Sequence, residues 1–239
     1  MTILFKILNF LYSLLFKKKA VVTNNDSNFL PDEVKEKVNS IKNETFAEYL
    51  KRQYLLKGAE WDEEVNIFGI RDTEDIEQDI FNDYIGLAIN GEVYLFEATC
   101  DPGVYWTKKH GVGNKGVAHI CLGFHKNVYQ VGSHKGKEGM VQYGASIKIW
   151  RDKDNNFYFN EGDVIETGFF GVNIHRASIV KDIIKIGRWS GGCQVIRKNI
   201  DINKFMKLIK STNKYKKNKK ARFSYMLFSK EEIKNKFLK

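Results

Sequence analysis

The chain is poor in cysteine, and what it has lacks metal-binding spacing. Its 239 residues hold three, Cys100, Cys121 and Cys193. An odd, sparse set excludes a disulfide framework. With no CxxC pair, a cysteine-based zinc site is not expected. The five histidines, His110, His119, His125, His134 and His175, form no HExxH, so that metalloprotease signature is missing. No cofactor and no metal is therefore expected. No internal repeat stands out, which argues against a repeat architecture. The apolar stretch at the N-terminus is shorter than the roughly 20 residues that span a bilayer. It carries Lys6, follows no basic region and precedes no A-x-A-like site, so a cleaved signal peptide is a poor fit.

What that stretch offers instead is periodicity. In residues 1–19, MTILFKILNFLYSLLFKKK, the apolar Ile3, Leu4, Ile7, Leu8, Leu11, Leu14 and Leu15 repeat at helical spacing. Lys6, Asn9, Ser13 and Lys17 fall largely on the other side. The pattern is that of an amphipathic membrane-anchor helix with a basic end. A helix packed on its own domain, or a short signal anchor, are the other readings. The expected location is membrane-associated, facing the cytoplasm or the cell envelope. For a spanning segment, Lys17-Lys18-Lys19 would hold the body in the cytosol.

Net charge is +10, with 43% hydrophobic and 13% aromatic residues. The composition is that of a globular protein, and the charge suits an anionic partner. A membrane surface or an acidic wall polymer fits. Nucleic acid is not expected, and the run NKYKKNKKAR reads as a solvated basic loop before a last strand.

Residues 20–63 read as a linker followed by a helix that opens near Pro31 and stops at Gly58. TEDIEQDIFNDY reads as a second, shorter helix. From residue 64 to 239 the pattern is mainly β. YIGLAI-NG-EVYLFEAT is a hairpin with Asn90-Gly91 at its turn. Further strands are expected in GVAHICLGFHKNVYQVG, ASIKIWRDKDNNFYF, GFFGVNIH, GGCQVIR and RFSYMLF, with turns at Lys126-Asn127 and Asp154-Asn155. DINKFMKLIK reads as a helix.

The chemistry concentrates near Cys193. A cysteine nucleophile needs a base and a way to hold an oxyanion. His175 stands eighteen positions before Cys193, and Gly191-Gly192 lead into it. If GVNIH and CQVIR are neighbouring strands, the two side chains meet. A buried cysteine at a strand start and a structural histidine make the plainer reading.

The order His, loop, Ser-x-Gly-Cys resembles the L,D-transpeptidase catalytic motif, at His175, Ser190, Gly192 and Cys193. ATCDPGVYW, VYQVGSHKG, VQYGASIKIWRD, GFFGVNIHRAS and GRWSGGCQVI resemble a variant phage and bacterial cell-wall branch of that family, over about residues 65–200. The resemblance implies a β-sandwich or barrel domain with an N-terminal helical preface. It implies peptidoglycan stem peptides as substrate and an acyl-enzyme on Cys193. His175 would take the thiol proton, with Ser190 or a backbone carbonyl orienting the imidazole. The Gly192 and Cys193 amides, set by Gly191, would hold the oxyanion. Arg176 and Arg188 are candidates to bind a substrate carboxylate, and Trp106 and His134 to line the groove. Two positions depart from the pattern. Arg176 stands where the family has Gly after the His, and Val195 where it often has Arg or Asn. No separate wall-binding repeat and no convincing cleavable export signal are seen, and the triple Lys disfavours a body held outside. A lytic protein released late fits these facts, and the departures leave room for a reshaped acceptor side. The expectation therefore leans to hydrolysis, as carboxypeptidase or endopeptidase, over transpeptidation. Two other classes stay open: an inactive wall-peptide or partner-binding β domain, and a basic nucleic-acid or lipid binder.

DKDNNFYFNEGD puts Asp152, Asp154, Asn156, Asn160 and Asp163 at EF-hand-like positions, but Phe157 occupies the place of the loop glycine. Turn formers in a plain loop are the better reading.

Overall fold

The computed structural model describes residues 43–74, 79–178, 180, 182–233, 237 and 238. The anchor expected at 1–19, the linker and the start of the following helix lie outside them. No helix among the described residues is long and apolar enough to cross a membrane.

The unit Phe46–Lys239 is mainly β. Helix α1 (Phe46–Leu56) comes first and ends in Gly58, whose φ of 67° is the left-handed stop that glycine supplies. Then follow β1 (Val65–Arg71), β2 (Asp83–Ile89), β3 (Glu92–Thr99), the short α2 (Val104–Thr107), β4 (Val117–Ile120) and β5 (Gly123–His134). After these come β6 (Lys137–Gln142), β7 (Ile147–Asp152), β8 (Val164–Gly168), β9 (Ile174–Arg176) and β10 (Gln194–Ile196). Helices α3 (Asn199–Ser211) and α4 (Asn213–Lys217) precede the last strand, β11 (Arg222–Ser229).

Eight strands close into a barrel in the order β1-β11-β5-β6-β9-β10-β3-β2, and β4-β7-β8 form a separate sheet. Pairing is antiparallel except at two seams, β1 with β11 and β9 with β10, which are parallel. Strand β1 is buried along its whole length. Val65 and Ile67 face the barrel core with Ile85, Leu87, Tyr225 and Leu227. Phe68 and Ile70 face outward, onto Tyr49, Leu50 and Tyr54 of α1. A strand covered on both faces reads as a continuous apolar run. Because α1 packs on this strand, the boundary drawn at residue 64 cuts through one hydrophobic cluster.

The β2–β3 hairpin turns at Asn90 and Gly91, with φ of 50° and 82°. Two positive φ values are what a two-residue turn demands of Asn-Gly. Three expectations need correction. Lys126-Asn127 is no turn but an irregularity inside β5, where Asn127 (φ 55°) donates its amide to Ser224 Oγ at 3.1 Å. The chain turns instead at Lys135-Gly136, directly after His134, and returns as β6. Around Asp154-Asn155 the chain does turn, but NFYF stays irregular and β8 begins only at Val164. In TEDIEQDIFNDY, residues 75–78 lie outside the described set, and Asp83-Tyr84 already belong to β2.

Candidate functional site

Strands β9 and β10 are neighbours and run parallel, with Ile174 beside Gln194 and His175 beside Val195. A parallel neighbour requires a crossover of a dozen or more residues, which accounts for the long gap between His175 and Cys193. Ile174 and Ile196 point into the barrel core. His175 and Val195 therefore share the other face. Continued by one residue, the register sets Cys193 on that face, diagonal to His175. A ring nitrogen of His175, a ring nitrogen of His134 and Cys193 Sγ all lie within 4.8 Å of one another.

The imidazole of His175 is fixed in one tautomer. Its Nδ1–H donates to the carbonyl of Arg176 at 2.7 Å. Its Nε2 is buried and has no hydrogen-bond partner. The lone pair is thus on Nε2, free to take a proton. Burial pulls the pKa of His175 down to about 4, with the neighbouring His134 acting in the same direction. Burial pushes the Cys193 thiol up, opposed by the backbone amide of Asn173, and the thiol donates to the Gly171 carbonyl at 3.6 Å. At neutral pH the two rest as a neutral thiol and a neutral imidazole.

His134 stacks on His175, ring centroids 4.5 Å apart and 18° from parallel. The amide of Asn173 reaches His134 Nδ1 at 2.8 Å, while its Oδ1 accepts the Gln142 amide at 2.8 Å. Asn173 thus ties the sheet to the imidazole pair. Sequence reasoning passed over it, although it sits two residues before His175 and its side chain falls on the same face.

Ser190 does not orient the imidazole. Its Oγ donates to the Cys193 carbonyl at 2.7 Å and accepts the Gly192 amide at 3.2 Å. It shapes the loop that presents the thiol. Gly192 has φ of 126°, and a Cβ there would stand 2.6 Å from the Ala118 carbonyl oxygen. Trp106 also serves the loop: its Nε1 donates to the Arg188 carbonyl at 3.1 Å, and its ring lies against Gly191.

A cleft of about 400 Å³ opens over His134 and His175. Lys135, Lys137, Arg176 and Arg188 line it, with Val180 and Trp189, and among the described residues no carboxylate does. Trp106 is not in its lining; Trp189, which sequence reasoning missed, is. Arg176 donates through Nη1 to Asn199 Oδ1 at 3.1 Å, and the Arg188 guanidinium stacks over Tyr105. A smaller pocket of about 210 Å³ beside Tyr54 and Trp61 has no cysteine or histidine among its described lining residues.

Behind Cys193 lies a buried polar network that no sequence motif announces. Gln194 accepts the Tyr225 hydroxyl at 2.8 Å and donates to the Cys100 carbonyl at 3.3 Å. Arg71 donates to the carbonyls of Ile120 and Cys100 at 2.8 and 2.7 Å and pairs with Asp101 at 3.0 Å. Asp101 also meets His119, which stacks on Trp150. Asp83 accepts the amides of Asp72 and Cys100 at 2.8 and 2.6 Å. Burial and the charge of Asp101 raise its pKa. Burial also raises the thiols of Cys100 and Cys121. Val195 is buried against Phe81, Ala177 and Ile186.

In the 152–163 loop, Asp152 accepts the amides of Asn156 and Phe157 at 3.2 and 2.9 Å. Its carboxylates form no cluster with metal-ligand geometry; among the described residues the cluster that does is His134, His175 and Cys193. The loop is built from turn formers.

Comparison of the chain with family models, with curated proteins and with solved structures finds no match.

Proposed function

We propose that the chain is a cysteine-nucleophile enzyme acting on peptidoglycan stem peptides, with an L,D-transpeptidase-like barrel as its catalytic domain. The observation that carries this reading is the buried His175, with a ring nitrogen within 4.8 Å of Cys193 Sγ, its Nε2 unpartnered and its tautomer set by the Arg176 carbonyl. In this mechanism Nε2 takes the thiol proton as sulfur attacks a peptide carbonyl, and the pair becomes charged only along the reaction path. The Gly192 amide is engaged by Ser190, so the oxyanion falls to the Cys193 amide. The protonated imidazole then gives its proton to the leaving amine, and an acyl-enzyme remains. Among the described residues, four cationic side chains and no carboxylate around the cleft suit a peptide rich in carboxylates.

The test is incubation of the purified protein with muropeptides and mass analysis of products and protein. An acyl adduct on Cys193 is expected. The reading leans to water as the resolving nucleophile. Net loss of a residue or cleavage of a cross-link, indifferent to added D-amino acid, supports hydrolysis. Exchange of that amino acid into the product makes it a transpeptidase. One observation favours an inactive binding domain: burial holds both groups neutral, as in a structural pair. Slow alkylation of Cys193 at neutral pH, with no turnover of any muropeptide, would decide for that reading. Association with an anionic membrane through residues 1–19 belongs to the same proposal.

A further inference from the structure

His134 has no place in the acyl-transfer scheme, yet it stacks on the base and reaches the nucleophile. We infer that His134, His175 and Cys193 form a three-ligand site for a thiophilic divalent cation of the Zn²⁺ class, which silences the nucleophile by occupying it. The silencing rests on the reading of Cys193 as nucleophile; the metal site itself does not.

Three features carry it. The donor atoms lie within 4.8 Å of one another. Bonds of about 2.0 Å to nitrogen and 2.3 Å to sulfur require the stacked rings of His134 and His175 to swing apart, so that both in-plane lone pairs aim at one point, and His134 to give up the Asn173 hydrogen bond at Nδ1. His175 is 6% exposed, and its Nε2 has no partner, so a ligand atom stands desolvated with nothing to bind. Its Nδ1–H bond to a backbone carbonyl, 2.7 Å long, is the outer contact that orients a metal-binding imidazole. The spacing rules that argued against zinc read ligands within one segment. Here β5, β9 and the start of β10 each supply one. Two imidazoles and a thiolate favour zinc-like cations over calcium or magnesium. A fourth position remains for water. Binding forms the sulfur–metal bond, breaks the S–H bond and releases that proton to solvent. With Sγ and Nε2 both held by the cation, neither attack nor proton transfer can begin.

The experiment uses the full chain and Co²⁺ as the probe, without substrate. One equivalent should produce a thiolate-to-cobalt charge-transfer band in the near ultraviolet, displaced by Zn²⁺. The band should vanish in Cys193→Ser, persist in Cys121→Ala, and form with affinity at least about tenfold weaker in His134→Gln. Circular dichroism establishes that each variant is folded; the isosteric His134→Asn serves if His134→Gln is not. One equivalent of Zn²⁺ should also block alkylation of Cys193 by iodoacetamide, and EDTA should restore it. A folded parent without the band, or a folded His134 variant that binds as the parent does, overturns the site. Alkylation unchanged by bound Zn²⁺ overturns the silencing. Muropeptide turnover by the EDTA-treated protein with no band on adding Co²⁺ rejects the metal site alone, and a band with Co²⁺ but no turnover by the EDTA-treated protein rejects the enzymatic reading alone.

Discussion

At the residue scale, burial holds the Cys193 thiol and the His175 imidazole neutral. Cys193→Ala removes one sulfur, and its expected outcome is no turnover with the circular dichroism spectrum unchanged. Full activity in that variant would reject the nucleophile. The buried His175 makes a second prediction, about pH. Its pKa of about 4 in the folded protein stands below the roughly 6.5 of an unfolded chain. Above pH 6.5 it is neutral in both states and the stability it permits is fully present. As pH falls from 6.5 toward 4 only the unfolded chain gains the proton, and stability is lost by up to about 3 kcal/mol. Denaturant melts across that window measure the loss. The acid limb of kcat/KM should fall near pH 4 instead of near 6.5. A limb at the ordinary histidine position would mean that the imidazole is solvated in the working enzyme.

At the scale of elements, the loop Ser190-Gly191-Gly192 is a preformed support for the thiol. Ser190→Ala leaves the Gly192 amide without its acceptor and removes a donor from the Cys193 carbonyl. The expected cost is about 1–3 kcal/mol, with kcat reduced more than KM is raised, because the loop positions sulfur and not substrate. Gly192→Ala strains the backbone at φ of 126° and drives a methyl into the Ala118 carbonyl. It should lose activity and melt lower, which thermal unfolding and a muropeptide assay both read. Much at this scale was legible. Asn90-Gly91 fixed its hairpin through local turn chemistry, and the apolar period of α3 showed in DINKFMKLIK. The proximity of His175 and Cys193 followed from two short strands becoming neighbours. What stayed hidden is non-local. That Ser190 faces the loop backbone, that Trp106 supports the loop, and that Asn173 binds His134 all depend on which strands pair. Lys126-Asn127 misled for a related reason. Asn tolerates positive φ in a bulge as readily as in a turn, and only Ser224, 97 positions away, decides between them.

At the scale of the whole molecule, the described residues form a sealed barrel with a basic cleft on its outside. Deleting residues 1–19 should raise solubility and leave the barrel folded, as sedimentation and circular dichroism would report; precipitation or lost structure would place that segment in the core. The barrel is sealed by a parallel seam between its first strand and its last, Ile67 beside Tyr225 through Arg71 beside Ser229. Tyr225 on that last strand also holds Gln194, next to Cys193. During synthesis, Cys193 and His175 leave the ribosome well before residues 222–229 do. Until those residues emerge, the barrel has an open edge and Gln194 lacks its anchor. On the proposed reading, a nascent chain halted before residue 222 would carry Cys193 and His175 without the closed barrel that sets them, and no turnover is expected until translation has passed the final strand.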